Sequence, residues 1–278
     1  MINPTHQNFI FIDGSYFTFF RYHALILSYK HNDNLDELNT PEGCDAFKKR
    51  FNDLFIKKFK EIPKKLKIKN PFLIVALDCP RSQIWRKQLY PDYKSNRHSN
   101  LPYVQTELFK MVRDEKLFNK AGAHTILLHP HLEADDCIAI VSKQIRSLNT
   151  NATCSIITSD MDYLQLADNH TKLYDLKYKD LTDNKNSFKD KHKDLFCKIV
   201  MGDKSDNIPA IFSKCGIKTA EKFYGDPASF NKKLADNPES QTLLQLNKTL
   251  IDFNMIPQHL VDELLTNLFT EPTQYHIH

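Results

Sequence analysis

"PFLIVALD", residues 71–78, runs through six apolar residues, Phe72 to Leu77, and stops on Asp78. A strand with one face in water would alternate apolar and polar residues. This one does not, so it reads as a strand covered on both faces, as in a parallel sheet between helices. Three other stretches share the pattern. "NFIFID" (8–13) ends on Asp13, "TCSIITSD" (153–160) ends on Asp160, and "HTILLHP" spans 124–130. "TKLYDL" at 171–176 adds a further short strand. Between them apolar residues recur at helical spacing, first Phe47, Phe51, Leu54, Phe55, Phe59 and Ile62. Leu108, Met111, Val112 and Phe118 follow, and then Ile138, Ile140, Val141, Ile145 and Leu148. Strands alternating with helices predict an α/β fold with a mainly parallel central sheet flanked by helices.

In such sheets ligands bind beyond the carboxyl ends of the strands. Three strands finish there on an aspartate, a residue that also commonly opens turns. "HLEADDCIAI" (131–140) adds Glu133, Asp135 and Asp136 where an apolar helix begins. "SDMD" supplies Asp160 and Asp162, and "GDKSD" supplies Asp203 and Asp206. A helix N-terminus rewards a nearby negative charge by roughly 0.3–1 kcal/mol, enough to account for one or two of these acids. It does not account for nine in five patches, because gathered like charges destabilise one another. A bound cation resolves the conflict. An all-oxygen ligand set without His or Cys spacing points to Mg²⁺, with Mn²⁺ as a substitute. Two such ions roughly 3.5–4 Å apart form the usual clamp for phosphodiester cleavage. His129 and His131 flank Pro130 beside these acids and show no triad logic, so they read as supporting or surface residues.

The 278 residues, 41% hydrophobic and 26% charged, suit a globular chain of one or two domains. No apolar stretch approaches the roughly 20 residues that span a bilayer. The N-terminus lacks the basic start of a secretory signal. The six cysteines (44, 79, 137, 154, 197, 215) never fall in C-x-x-C spacing, which argues against a zinc site or disulfide framework and for a reducing cytoplasm. The net charge is only +4, yet residues 47–69 hold ten Lys/Arg against Asp53 and Glu61. That stretch is either a solvated helix face or a surface for a polyanion. Residues 81–98 interleave Arg81, Arg86, Lys87, Lys94 and Arg97 with Trp85, Tyr90 and Tyr93. The mixture suits single-stranded nucleic acid, whose bases stack on aromatic faces. Trp85 can equally belong to the core. "KDLTDNKNSFKDKHKD" (179–194) reads as an exposed connector, and the remainder as helical.

The pieces "FIDGS", "ALD", "YPDYKSNR", "LEADD", "TSDMDYLQL" and "GDKSDNIP", in this order over residues 9 to about 225, resemble the flap endonuclease family of structure-specific 5′-nucleases. That family includes the 5′-nuclease domain of DNA polymerase I. "TLIDFNMIP" (249–257) is similar to the C-terminal region of phage ribonuclease H-type members. The resemblance implies a PIN-like catalytic core over 1–190, with a helical arch at about 80–118. It implies a helix–three-turn–helix and further C-terminal helices over 191–278. It implies that Asp78, Glu133 and Asp135 hold a first metal, with Asp13 acting directly or through water and Asp136 beside it. Asp160, Asp162 and Asp203 would hold a second, with Asp206 around it. Lys94 and Arg97 would contact the scissile phosphate, with Tyr93 alongside on the DNA. "SDNIPAIFSKCGIKTAEKFY" would grip duplex backbone through Lys214, Gly216, Lys218 and Thr219, with K⁺ bound in the motif. Here the chain departs from the family pattern, keeping only Gly216 in that loop and placing Lys214 where another glycine is usual.

The implied activity is metal-dependent 5′–3′ exonuclease and flap endonuclease cleavage of DNA or RNA–DNA near single-strand/duplex junctions, as in primer and flap removal. The implied partners are DNA with 5′ flaps or ends and replication proteins such as a polymerase or single-strand-binding protein, the enzyme itself being a monomer off the membrane. Two alternatives stand beside this. A PIN-type ribonuclease would share the acidic edge but lack "YKSNR" and the helix–three-turn–helix. A non-catalytic DNA-structure binder would not need every acid.

Overall fold

The structure, a computed structural model, describes residues 1–31, 38, 40–97, 103–266 and 268–269. Part of the expected arch, 98–102, therefore lies outside the described residues. The chain forms β1 (Asn8–Asp13), α1 (Gly14–His31), α2 (Pro41–Leu66), β2 (Phe72–Ala76), α3 (Arg86–Leu89), α4 (Tyr103–Asp114), α5 (Leu117–Lys120) and β3 (Thr125–Leu127). It continues through α6 (Ala134–Leu148), β4 (Thr153–Ile157), β5 (Thr171–Tyr174), α7 (Lys191–Met201), α8 (Ile217–Gly225), α9 (Pro227–Ala235), α10 (Pro238–Ile251) and α11 (Gln258–Leu265).

All five strands run parallel in the order β3-β2-β1-β4-β5. The alternation of side chains explains why β1 is apolar from Phe9 to Ile12. Phe9 and Phe11 point into a core shared with α6 and α11, whereas Ile10 and Ile12 point into one shared with α1, α2 and α5. The second core is aromatic. Phe47, Phe51, Phe55 and Phe59 line one face of α2, and Phe55 meets Phe17 edge-to-face at 4.9 Å. Thr40 caps α2 by accepting the Gly43 amide, and Pro41 occupies its first turn.

The chain builds outward from β1 through β2 to β3, then returns to place β4 on the other flank of β1. That switch point is where a parallel sheet opens a crevice. α1 begins directly on β1 and lies close to the end of β2. A Cβ on Gly14 would come 2.6 Å from Leu77 Cδ2 and 2.8 Å from the Ala76 carbonyl oxygen, so glycine is needed there.

Several expected boundaries move. The stretch 124–130 is strand only over Thr125–Leu127, an edge strand followed by exposed Leu128. β2 and β4 stop at Ala76 and Ile157, so Asp78 and Asp160 sit on the loops just past the strands. The expected connector is partly structured, since Leu181 is buried and Asp190 caps α7 at Lys191. Residues Lys57, Lys60, Lys64, Lys65, Lys67 and Lys69 are exposed. They lie at the end of α2 that leads into the start of β2, away from the carboxyl ends of the strands. Beyond β5, α7–α10 gather around Cys197, Val200, Phe212, Phe223 and Phe230. All six cysteines are free. Among the described residues no helix is long and apolar enough to cross a membrane.

Candidate active site

At the carboxyl ends of β1, β2 and β4 lies a cavity of about 550 Å³ lined by Asp13, Asp78, Glu133, Asp135 and Asp160, with Lys94 and Arg97 on its wall. Hydrogen bonds hold each of these carboxylates. Asp13 accepts the Tyr16 amide at 2.9 Å, Asp160 accepts the Asp162 amide at 2.9 Å, and Asp78 accepts the Ala134 amide of α6 at 2.9 Å. Ser15 also donates to Asp78 at 2.5 Å. Burial pushes Asp13 up to about 7, and the charges of Asp78 and Asp160 add to the effect. Asp135 is raised well above the usual carboxylate range by burial and then by Asp136 and Glu133. A bound cation would favour their deprotonated forms.

The three acids opening α6 have separate tasks. Asp135 lines the cavity. Asp136 is fully buried and faces Arg86, which donates two hydrogen bonds to it at 2.8 and 2.6 Å, while Trp85 Nε1 donates at 3.0 Å. It lies within 4.8 Å of ligand atoms on Glu133 and Asp135. It thus sits beside the acids that line the cavity, with its oxygens accepting from Arg86 and Trp85. Glu133 accepts from Arg86 at 3.1 Å, from the Tyr93 hydroxyl at 2.9 Å and from Lys94 at 2.5 Å. Burial pushes the Glu133 acid up, but Lys94 and Arg86 overcome this and leave it low.

A second group forms where Asp162, Asp203 and Asp206 bring ligand atoms within 4.8 Å of one another. Lys198 of α7 stands between two of them, its Nζ 2.6 Å from Asp162 Oδ1 and 2.6 Å from Asp203 Oδ2. Burial and then Asp160 push Asp162 up to about 7. Burial opposes ionisation of Asp203 as well, but Lys198 overcomes it and holds the acid low. The turn carrying Asp203 depends on Gly202, whose φ is +67° and whose Cβ would fall 2.3 Å from the Pro209 carbonyl oxygen. Asp160, expected with this group, faces the first cavity instead and touches it through the Asp162 amide.

"YPDYKSNR" is tied to "GDKSDNIP" by a series of contacts. The Lys94 amide donates to the Asp206 carbonyl at 2.8 Å, Asn96 donates to the Lys204 carbonyl at 2.7 Å, and Arg97 pairs with the Asp206 carboxylate. Lys94 itself sits in the left-handed region at φ 55°. Tyr93 and Trp85 are both 3% exposed, so Trp85 takes the core alternative and the Tyr93 ring presents no open stacking face. Tyr93 serves through its hydroxyl, which also reaches Asp206 at 3.1 Å. On the other side of this turn a cavity of about 610 Å³ is lined by Tyr90, Lys204, Asn207, Lys214 and Gly216. Lys214 has φ 55°, a conformation that favours glycine, and Gly216 opens α8, whose first turn carries exposed Lys218 and half-buried Thr219. His129 bonds Glu263, and His131 bonds the Gln83 carbonyl, both away from the carboxylates.

The sequence reading passed over Arg86 as a structural residue and passed over Lys198 and Ser15 entirely. Only Ser15 carried a signal, its place two residues after a strand-ending aspartate.

Comparison with known proteins agrees with this geometry. Residues 8–193 match the family described as 5′-3′ exonuclease, N-terminal resolvase-like domain. A 5′-3′ exonuclease of Buchnera aphidicola is 30% identical over 220 residues, which is 76% of this chain and 68% of that protein. The DNA polymerase I of Lactococcus lactis is 26% identical over 253 residues, covering 87% of this chain but only 26% of the polymerase. The fold is also that of the bacteriophage T5 flap endonuclease solved with DNA and metal ions, at a TM-score of 0.65, 19% identity and coverage of 93% of this chain and 96% of that one. The zinc-bound T5 5′-exonuclease matches at a TM-score of 0.64 and 18% identity over 93% and 97% of the two chains. The family match spans most of the chain and takes in the strand-end carboxylates from Asp13 to Asp162, so this chain belongs to the 5′-3′ exonuclease family.

Proposed function

We propose that this family member is a Mg²⁺-dependent 5′-nuclease that hydrolyses phosphodiesters at single-strand/duplex boundaries of DNA or RNA–DNA, leaving a 5′-phosphate. One observation carries the reading. Carboxylates from four separate segments, Asp13, Asp78, Glu133 with Asp135, and Asp160, open onto one cavity together with two cations from a fifth, Lys94 and Arg97. The donor set is all oxygen and fits a hard divalent ion, with Mn²⁺ able to substitute. Bound divalent ions would supply an activated water and neutralise charge at the scissile phosphate.

The chain's own residues do the rest. Asp78, Glu133 and Asp135, with Asp13, hold one ion, and Asp162 and Asp203, with Asp160 nearby, hold the other, Asp206 lying outside. Lys94 moves from Glu133 to a phosphate oxygen, and Arg97 adds paired donors beside it. Tyr93 positions Glu133 and Asp206 rather than touching DNA. The region to about residue 190 is the catalytic core, and the helices from 191 onward, as a helix–three-turn–helix with K⁺, bind duplex phosphates through Lys214, Gly216, Lys218 and Thr219. The role is primer and flap removal by a cytoplasmic monomer working with replication proteins.

The test is incubation with end-labelled flap, nicked and RNA-primed duplexes, with Mg²⁺ or with chelator, alongside the Asp160→Asn variant. Cleavage that needs the metal and is lost in the variant, with DNA binding kept, supports the assignment. Cleavage in chelator, or unchanged in Asp160→Asn, rejects it.

A further inference from the structure

On the β3 side of Asp78 the fold leaves another cavity, of about 700 Å³, within the roughly 300–1,000 Å³ typical of ligand pockets. Leu77, Phe109, Val112, Phe118 and Ile126 make its walls mainly apolar. Lys110, Arg113 and Lys116 of the α4–α5 segment line it too and are exposed. Arg113 pairs with the adjacent Asp114, and among the described residues no salt bridge engages Lys110 or Lys116. Ser15 and Asp78 line this cavity and the acidic one alike, so the two spaces meet at Asp78. Phe19, on the acidic side, packs edge-to-face on Phe109 with ring centroids 4.7 Å apart.

We propose that this cavity receives the base of an unpaired nucleotide adjacent to the scissile phosphate, with the phosphates flanking that base held by Lys110, Arg113 and Lys116. The inference rests on the nuclease reading above and names where the single strand goes. Three features select this occupant. An apolar wall with aromatic rings suits any base, because every base has a π-face. Lys110 and Lys116, which no salt bridge engages among the described residues, suit the attached phosphates and would be wasted on an apolar ligand. The strand order sets the direction. Asp162 follows β4, and Lys198 ties Asp203 to it, whereas this cavity lies on the β3 side of β1. A strand entering past Asp162 and Asp203 therefore crosses Asp13 and Asp78 before it reaches Phe109. Bases within a duplex are stacked and paired, and only an unpaired one can turn into such a space.

The experiment measures single-turnover cleavage of 5′-flap duplexes carrying either a normal or an abasic nucleotide at each of the unpaired positions next to the junction. The wild-type protein should lose about tenfold in rate when one of those positions is abasic. Phe109→Ser should lose a similar factor on the normal flap and little more on that abasic flap, since both changes remove the same contact. Lys110→Gln with Lys116→Gln, on the exposed rim, should weaken flap binding but not binding of a flapless nicked duplex. Equal rates on normal and abasic flaps at every position, or losses in Phe109→Ser that multiply with the abasic loss, overturn the proposal while leaving the nuclease reading intact. No cleavage of any substrate overturns both.

Discussion

Lys198 places its ammonium 2.6 Å from a carboxylate oxygen of Asp162, and reaches Asp203 at the same distance. The second acidic group thus carries its counter-charge from within the chain, and a divalent ion entering it must displace a lysine. In Lys198→Met the acids lose that partner. In chelator the variant should be less stable by about 1–3 kcal/mol, below the roughly 3–5 kcal/mol of a fully buried pair because the lysine side chain is 25% exposed. Its melting temperature should rise more on adding Mg²⁺ than that of the wild type. An equal rise in both proteins would show that Lys198 does not compete with metal.

Metal uptake should be coupled to proton release. Asp13 and Asp162 are raised from 3.8 to about 7. Acids raised on folding favour the folded state at low pH, and that contribution fades as pH rises through about 7. A bound cation reverses the trend by taking the deprotonated form. Divalent affinity should therefore increase by about tenfold per pH unit for each proton displaced between about pH 6 and about pH 7, and level off above. Calorimetry in two buffers of different ionisation heat counts the protons. A buffer-independent heat with a flat affinity would contradict the prediction.

Among the described residues Arg86 is the one cation in a salt bridge with buried Asp136, and the arginine side chain is 2% exposed. Arg86→Met should cost roughly 3–5 kcal/mol in urea unfolding, because a buried carboxylate is left without its partner. Adding Asp136→Leu should recover most of that loss. If the double variant is no more stable than the single one, the pair does not act as a unit.

Gly14→Ala should cost about 1–3 kcal/mol, since one of the two clashing atoms is the Ala76 carbonyl oxygen and backbone does not yield cheaply. The strain falls beside Ser15 and Asp78, so cleavage should drop as well. A variant with wild-type melting temperature and rate would mean that α1 slides freely on β2.

The fold was legible because β1, β2 and β4 carry near-continuous apolar runs between the helices, a pattern that two-sided burial explains. The acids past their ends were legible for the same reason, since a parallel sheet fixes which end they share. The direction of each carboxylate was not. Asp135 and Asp136 are neighbours, and what turns one to the cavity and the other inward is Arg86, about fifty residues earlier in the chain. The charges around Trp85 and Tyr93 left surface and core open for Trp85 and favoured the surface for Tyr93, yet Arg86 and Lys94 are themselves drawn in by acids. The basic stretch of α2 looked like a companion to the acids. Connectivity puts its last turns at the opposite end of the sheet, which residue types alone do not reveal.

Arg86 has one more bond, from Nε to the carbonyl of Leu250 at 2.7 Å. The last turn of α10 is thereby clamped to the side chain that orients Glu133. Shortening the protein before that turn would remove no carboxylate and no lysine of the site, and would still loosen the carboxylate grip at its centre. Damage far along the chain would then reach the chemistry as well as the core that Leu260 and Leu264 complete.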